Sequence, residues 1–177
     1  MILGLDISTS TIGYCIINND GFLKRIGYIG ISNIEDIVEK GYFVFQFFNK
    51  LLKEEKIEHI YIEDISQKFS PGFSSAGIIT LLARFNGIVS FILYYITHIK
   101  PNYIMATSSR KKAYKMSFKR GIDIKKQIFI EVNKREKIPW LKTQKGKIKN
   151  ECYDMCDSYT LSLCGYNILK DLSGNKS

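Results

Sequence analysis

Three runs rich in β-branched and aromatic residues fill the first 31 positions, and the turns between them are too short for anything but antiparallel return. Residues 1–6 form the first run and end in Asp6. Residues 12–18, Ile-Gly-Tyr-Cys-Ile-Ile-Asn, form the second, and residues 22–31 the third. Ile-Ser-Thr-Ser-Thr joins the first pair and Asn19-Asp20-Gly21 the second, both of them turn chemistry. The chain therefore opens as a three-stranded antiparallel meander. Asp6 stands at the carboxyl end of the first strand, where ligand sites of open α/β sheets gather. A carboxylate closing an apolar strand is costly there unless it is solvated or bound.

Beyond the meander the period of the pattern changes. Ser32 or Asn33 can cap a helix with Glu35 and Asp36 in its first turn. Its apolar positions Ile34, Ile37, Val38, Phe45, Phe48, Leu51 and Leu52 predict a helix to about Lys56. Residues 57–65 alternate as a fourth strand, closed by two more acids, Glu63 and Asp64. Residues 66–75 are a Ser/Gly/Pro loop with two exposed-looking aromatics, Phe69 and Phe73. The segment 76–98 predicts a long helix, apolar enough to bury itself against the sheet or a second subunit. Residues 102–106 give a fifth strand. Ser108 or Ser109 then caps a short helix, and Asp123 caps another over 124–135 with Ile128 and Val132 inward and lysines outward. Residues 138–150 mix Pro139, Trp140 and Gly146 with lysines and no period, which reads as a basic flexible connection to a final helix. The expected fold is α/β, a mixed five-stranded sheet flanked by helices.

A chain of 177 residues can bury one core. Residues 1–172 are expected to form a single domain, with a fraying polar tail at 173–177. There is no secretion signal, and the longest apolar stretch is interrupted by Arg84, Asn86, Thr97 and His98. An intracellular protein that does not span a membrane is expected. Cys15, Cys152, Cys156 and Cys164 lack the spacing of a disulfide framework and read as small core residues. The net charge of +9 is concentrated: residues 100–149 hold 16 Lys and Arg against three acids, while the remainder holds ten against 14. Such polarisation is the footprint of a polyanionic partner, nucleic acid before anionic membrane.

The final helix carries its own acids. Asp154 and Asp157 are three apart, on one helical face, and their repulsion is relieved by a cation between them. A divalent metal is one reading. Two solvated first-turn acids favoured by the helix macrodipole are the other.

Taken together, these motifs carry a resemblance. Residues 2–17, with Asp6 closing a strand, a Ser/Thr turn and a returning Ile-Gly-Tyr strand, resemble the opening of RuvC-type Holliday-junction resolvases. Ile60-Tyr-Ile-Glu-Asp64 resembles their second site, and Asp154-Met-Cys-Asp157 their closing Asp-x-x-Asp helix. The resemblance runs from end to end of the chain, and compact size with Lys/Ile-rich composition suits a phage or viral member. It implies a ribonuclease H-like fold and four metal-binding carboxylates: Asp6, Glu63, Asp154 and Asp157, with Asp64 the rival to Glu63. It also implies two Mg²⁺ ions, with Mn²⁺ as the alternative, roughly 3.5–4 Å apart. The family's lysine beside the catalytic centre best matches Lys112, and its Lys-x-Gln pattern matches Lys125; Lys111 and Lys126 are the neighbouring candidates. Lys119 and Arg120 add to the DNA-binding charge. Where bacterial members carry an aromatic wedge this chain has Ser66, and Phe69 or Phe73 is the substitute.

The implied activity is Mg²⁺-dependent endonucleolytic cleavage of four-way DNA junctions by a homodimer. Nucleases acting on flaps, RNA or RNA–DNA hybrids, and a binding module without catalysis, are the alternatives. Actin-like sugar kinases share an Asp-turn-Gly opening but need a second domain and glycine-rich phosphate motifs that this sequence lacks.

Overall fold

The computed structural model describes residues 1–65, 76–118 and 121–174. The meander forms as the turns dictate: β1 (Ile2–Ile7), β2 (Thr11–Ile17) and β3 (Leu23–Gly30) pair antiparallel, with Asp6 opposite Gly13. Ser8 closes the first turn, its hydroxyl accepting from Thr11 N at 2.9 Å and donating to Thr11 O at 2.8 Å. Asn18 Oδ1 accepts from Phe22 N at 2.8 Å in the second. Two parallel strands, β4 (His59–Glu63) and β5 (Asn102–Ile104), complete a five-stranded sheet ordered β3-β2-β1-β4-β5.

Strand alternation sorts the side chains into two layers. Leu3, Leu5, Ile7, Ile12, Ile16, Ile60 and Ile62 face one way, into a core shared with Phe48 of α1 (Ile37–Leu51) and with Phe85, Val89 and Leu93 of α2 (Ala76–Thr97). Ile2, Cys15, Ile17 and Tyr61 face the other way. There they meet α3 (Ala106–Tyr114), α4 (Ile124–Arg135) and α5 (Glu151–Gly174). All four cysteines are buried with free thiols. Burial pushes the Cys164 thiol up to about 11, a pKa at which it is inert as a nucleophile.

Helix α5 lies directly on the sheet because two strand glycines admit it. A Cβ at Gly4 would sit 2.4 Å from Ser158 O, and one at Gly13 would sit 2.2 Å from Asp154 O. Any side chain at either position would push the helix away.

Several expectations change in detail. Helix α1 starts at Ile37, capped by Asp36, because that carboxylate accepts from both Val38 N and Glu39 N at 2.8 and 3.0 Å; the candidate caps Ser32 and Asn33 lie outside the helix. Helix α3 starts at Ala106 with Met105 at the cap, so Ser108 and Ser109 fall inside its first turn. Residues 138–150 are a folded hairpin rather than an open connection, joined by a Lys142–Ile148 bridge and anchored by Trp140, whose ring stands 5.1 Å from that of Phe129. Helix α5 also runs to Gly174, two residues past the expected end.

By length and hydropathy α2 is the one helix among the described residues that could cross a bilayer. It is amphipathic in use: Phe85 is fully buried, while Phe91 and Tyr95 are 67% and 62% exposed, so the helix neither sinks wholly into the subunit nor leaves the core.

Candidate active site

Two adjacent parallel strands bring the first two acids together. Leu5 pairs with Ile62, so one step further the register sets Asp6 beside Glu63, both on the α5 side of the sheet. Alternation turns Asp64, the rival acid, to the opposite side, and its backbone N donates to Ile104 O at 2.9 Å. Helix α5 then lays Asp154 and Asp157 over them, at the height fixed by its contact with Gly13.

The charges report this gathering. Burial holds the Asp6 carboxyl well above the usual carboxylate range, and Asp157, Glu63 and Asp154 raise it further while Lys125 opposes them. Burial also pushes Asp157 up, to about 6, against the pull of Arg110 and Lys125 and with reinforcement from Glu63 and Asp154. Asp6 and Asp157 therefore sit in a poorly solvated space where burial and the neighbouring carboxylates make them harder to ionise.

Two cations reach into the cluster. Lys125, near the start of α4, places Nζ 3.1 Å from Asp154 Oδ1. Although burial works against its charge, Asp154, Asp157 and Asp6 hold the ammonium above its ordinary pKa. Arg110 Nη2 lies 3.9 Å from Asp157 Oδ1. Its direction is set one turn further along α3, where the Tyr114 hydroxyl meets Thr160 Oγ1 at 2.8 Å. Arg110 and Tyr114 share one face of α3, and Asp157 and Thr160 one face of α5.

The structure thus joins Asp6, Glu63, Asp154, Asp157 and Lys125. It does not bring Lys112 to them. Lys112 sits two residues from Arg110, about 200° around the helix, and pairs with Asp171 at 2.5 Å, far down α5. Asp171 is roughly 21 Å along the helix axis from Asp157 at 1.5 Å per residue. Lys111 lines the same cleft as Lys112 and Asp171, and Lys126 is exposed on α4. Lys119, Arg120, Phe69 and Phe73 lie outside the described residues. Arg110 is the residue that sequence reasoning missed. The sequence offered no signal that would single it out of Arg110-Lys111-Lys112; the structure does, by burying Ser109, Ala113 and Tyr114 and so turning that side of α3 inward.

A hard divalent cation fits this donor set, since carboxylate oxygens are its preferred ligands and their mutual repulsion is what it would relieve. The side chains are gathered rather than caged: among the described residues no three Asp, Glu, His or Cys side chains already stand at ligand spacing.

The same architecture is found in solved structures. Thermus thermophilus RuvC in complex with a Holliday junction substrate matches with a TM-score of 0.66 at 10% identity, covering 96% of this chain and 94% of that one. The fold is that of the RuvC resolvases. A second Thermus thermophilus RuvC structure matches at a TM-score of 0.63 and 13% identity, over 96% and 95% of the two chains. The yeast mitochondrial Holliday junction resolvase Ydc2 matches at 0.67 and 15%, over 98% of this chain and 80% of that one. No family model matches the sequence, and no curated protein matches it significantly. The RuvC likeness is therefore carried by backbone architecture, with identities too low to carry more.

Proposed function

We propose that the protein is a Mg²⁺-dependent endonuclease that cuts branched DNA, with four-way junctions as its substrate and a homodimer as its working form. The observation that carries this reading is the convergence of Asp6, Glu63, Asp154 and Asp157 from three separate elements into one space where their charges compound. Packing alone does not explain it, because four carboxylates gathered at the carboxyl ends of inner strands, with only Lys125 and Arg110 beside them, cost stability.

Hydrolysis of a phosphodiester forms a bond from a water oxygen to phosphorus and breaks the bond to the 3′ oxygen, which leaves with a proton. Asp6, Glu63, Asp154 and Asp157 would hold the divalent ions. When bound, Mg²⁺ supplies charge neutralisation at the phosphate and a nucleophile at neutral pH. Lys125 and Arg110 hold positive charge against the acids. Both cations would also be placed to face phosphate oxygens of a bound strand and so orient it. The remaining lysines of α3 and α4, with Lys119 and Arg120, supply sequence-independent affinity.

Paired cuts across a junction require two sites related by a two-fold axis. The exposed face of α2, with Ile78, Leu81, Phe91 and Tyr95, is the apolar surface that such a dimer would cover. The test is a panel of labelled substrates: four-way junction, duplex, flap and RNA–DNA hybrid, each with and without Mg²⁺. Selective, Mg²⁺-dependent cutting of the junction supports the reading. Preference for the flap or hybrid would transfer the site to a different nuclease, and no cleavage of any substrate would overturn it.

A further inference from the structure

The lysine-rich segment before α5 folds as a hairpin, and that hairpin walls a groove leading away from the acids. Its arms are tied by Thr143 N donating to Lys147 O at 2.7 Å and Lys149 N donating to Leu141 O at 3.0 Å, and Gly146 turns the tip with φ +74. Its base is fixed to the body. The Trp140 indole donates to Asn133 Oδ1 at 2.7 Å, and the Cys152 thiol donates to Leu141 O at 3.5 Å. The opposite wall is the turn after β1, braced by Ser8 and by the Lys40 ammonium, which donates to Thr9 O. Between the walls lies a cavity of about 660 Å³ whose lining includes Ser10, Thr11, Thr143, Lys147 and Lys149 together with two carboxylates, Glu151 and Asp154.

Three hydroxyls and two ammonium groups outnumber the two carboxylates of this lining, and one of those carboxylates, Asp154, belongs to the candidate active site. Phosphodiester oxygens are strong acceptors that take such donors, and a rigid wall holds them without the entropy cost of ordering a loop. A strand whose cleaved phosphate rests at the acids can continue past Asp154, which lines this groove.

We propose that the groove is the seat of one DNA strand flanking the cleaved bond, with Lys147 and Lys149 on its phosphates and the hydroxyls of Ser10, Thr11 and Thr143 beside them. This rests on the nuclease reading, and adds to it a binding subsite built by the hairpin.

The test uses Asp6→Asn protein, which holds DNA uncut, and measures four-way junction affinity against salt. In the added Lys147→Gln, Lys149→Gln variant the slope of log K against log salt should flatten by about 0.9 for each phosphate left without its lysine. Gly146→Val keeps every charge but places a β-branched residue at a positive φ, so by moving the lysines off their phosphates it should weaken binding and flatten the slope towards that of the double variant. Trypsin cutting after Lys147 and Lys149 should slow when junction DNA is saturating. A parent-like slope in the double variant, or unslowed cutting at both lysines, overturns the groove while leaving the nuclease reading intact. Failure of the parent to bind junction DNA at any salt overturns both.

Discussion

Gly13 and Asp154 meet backbone to backbone: a Cβ on Gly13 would lie 2.2 Å from the Asp154 carbonyl oxygen, closer than any real contact. The strand opposite Asp6 thereby sets the height of α5, and with it the position of Asp154 and Asp157 over Asp6 and Glu63. Gly13→Ala removes no acid and no cation. It should nevertheless lower cleavage by at least about tenfold, because a displacement of roughly 1 Å in a preorganised site costs up to about 10²-fold. Gly87→Ala at an exposed position of α2, where an added Cβ would meet no neighbouring element within 4 Å, is the control and should leave the rate unchanged. Equal rates for both variants would show that α5 height does not matter.

The cations near the acids separate by the same kind of measurement. Arg110→Ala and Lys125→Ala should each reduce single-turnover cleavage by about 10²-fold, the cost of removing one preorganised charge partner from a catalytic site. Lys112→Ala, which breaks only the exposed pair with Asp171, should alter the rate little. The reverse ranking would return the catalytic role to Lys112.

Acid repulsion predicts how stability responds to pH without divalent ions. Burial, with the neighbouring acids, raises the Asp6 and Asp157 carboxyls above their unfolded value of 3.8, Asp157 to about 6. The folded state therefore binds these protons more tightly, so their contribution is full below about pH 3.8; Asp157's share is lost as pH rises through about 6, and Asp6's is lost as pH rises through its own raised pKa. Mg²⁺ should raise Tm at pH 7.5 and much less at pH 5. About 1 kcal/mol of relief corresponds to a shift of roughly 2–4 °C in a chain of this size. A Tm that Mg²⁺ leaves unchanged at pH 7.5 would mean that these acids do not take the ion.

The α2 face has a direct test in solution. Phe91→Ser with Tyr95→Ser should convert a dimer to a monomer in sedimentation and replace paired junction cuts by single nicks, since both rings are largely exposed. A dimer that survives the double variant places the interface elsewhere.

Much of this site was legible in the sequence. Period-two alternation and short turns placed Asp6 and Glu63 at strand ends, and three-residue spacing placed Asp154 and Asp157 on one helical face. Arg110 was hidden because composition shows a run of cations, Arg110-Lys111-Lys112, but which one faces the acids depends on the Tyr114–Thr160 contact, a product of helix packing. The hairpin at 138–150 was hidden for a similar reason. It has no hydrophobic period of its own, and its order comes from Trp140 resting on Phe129 and Asn133 of another helix. The start of α1 was misplaced because Ser32, Asn33 and Asp36 are all competent caps, and only the Asp36 carboxylate reaches the backbone donors.

The central claim, that the gathered acids perform metal-dependent phosphodiester cleavage, is tested most directly by Asp6→Asn. Single-turnover cleavage of a labelled four-way junction in Mg²⁺ should fall by orders of magnitude relative to the unsubstituted protein, while junction affinity in a gel shift holds or rises. Mg²⁺-dependent cutting retained by Asp6→Asn at the unsubstituted rate would contradict the account.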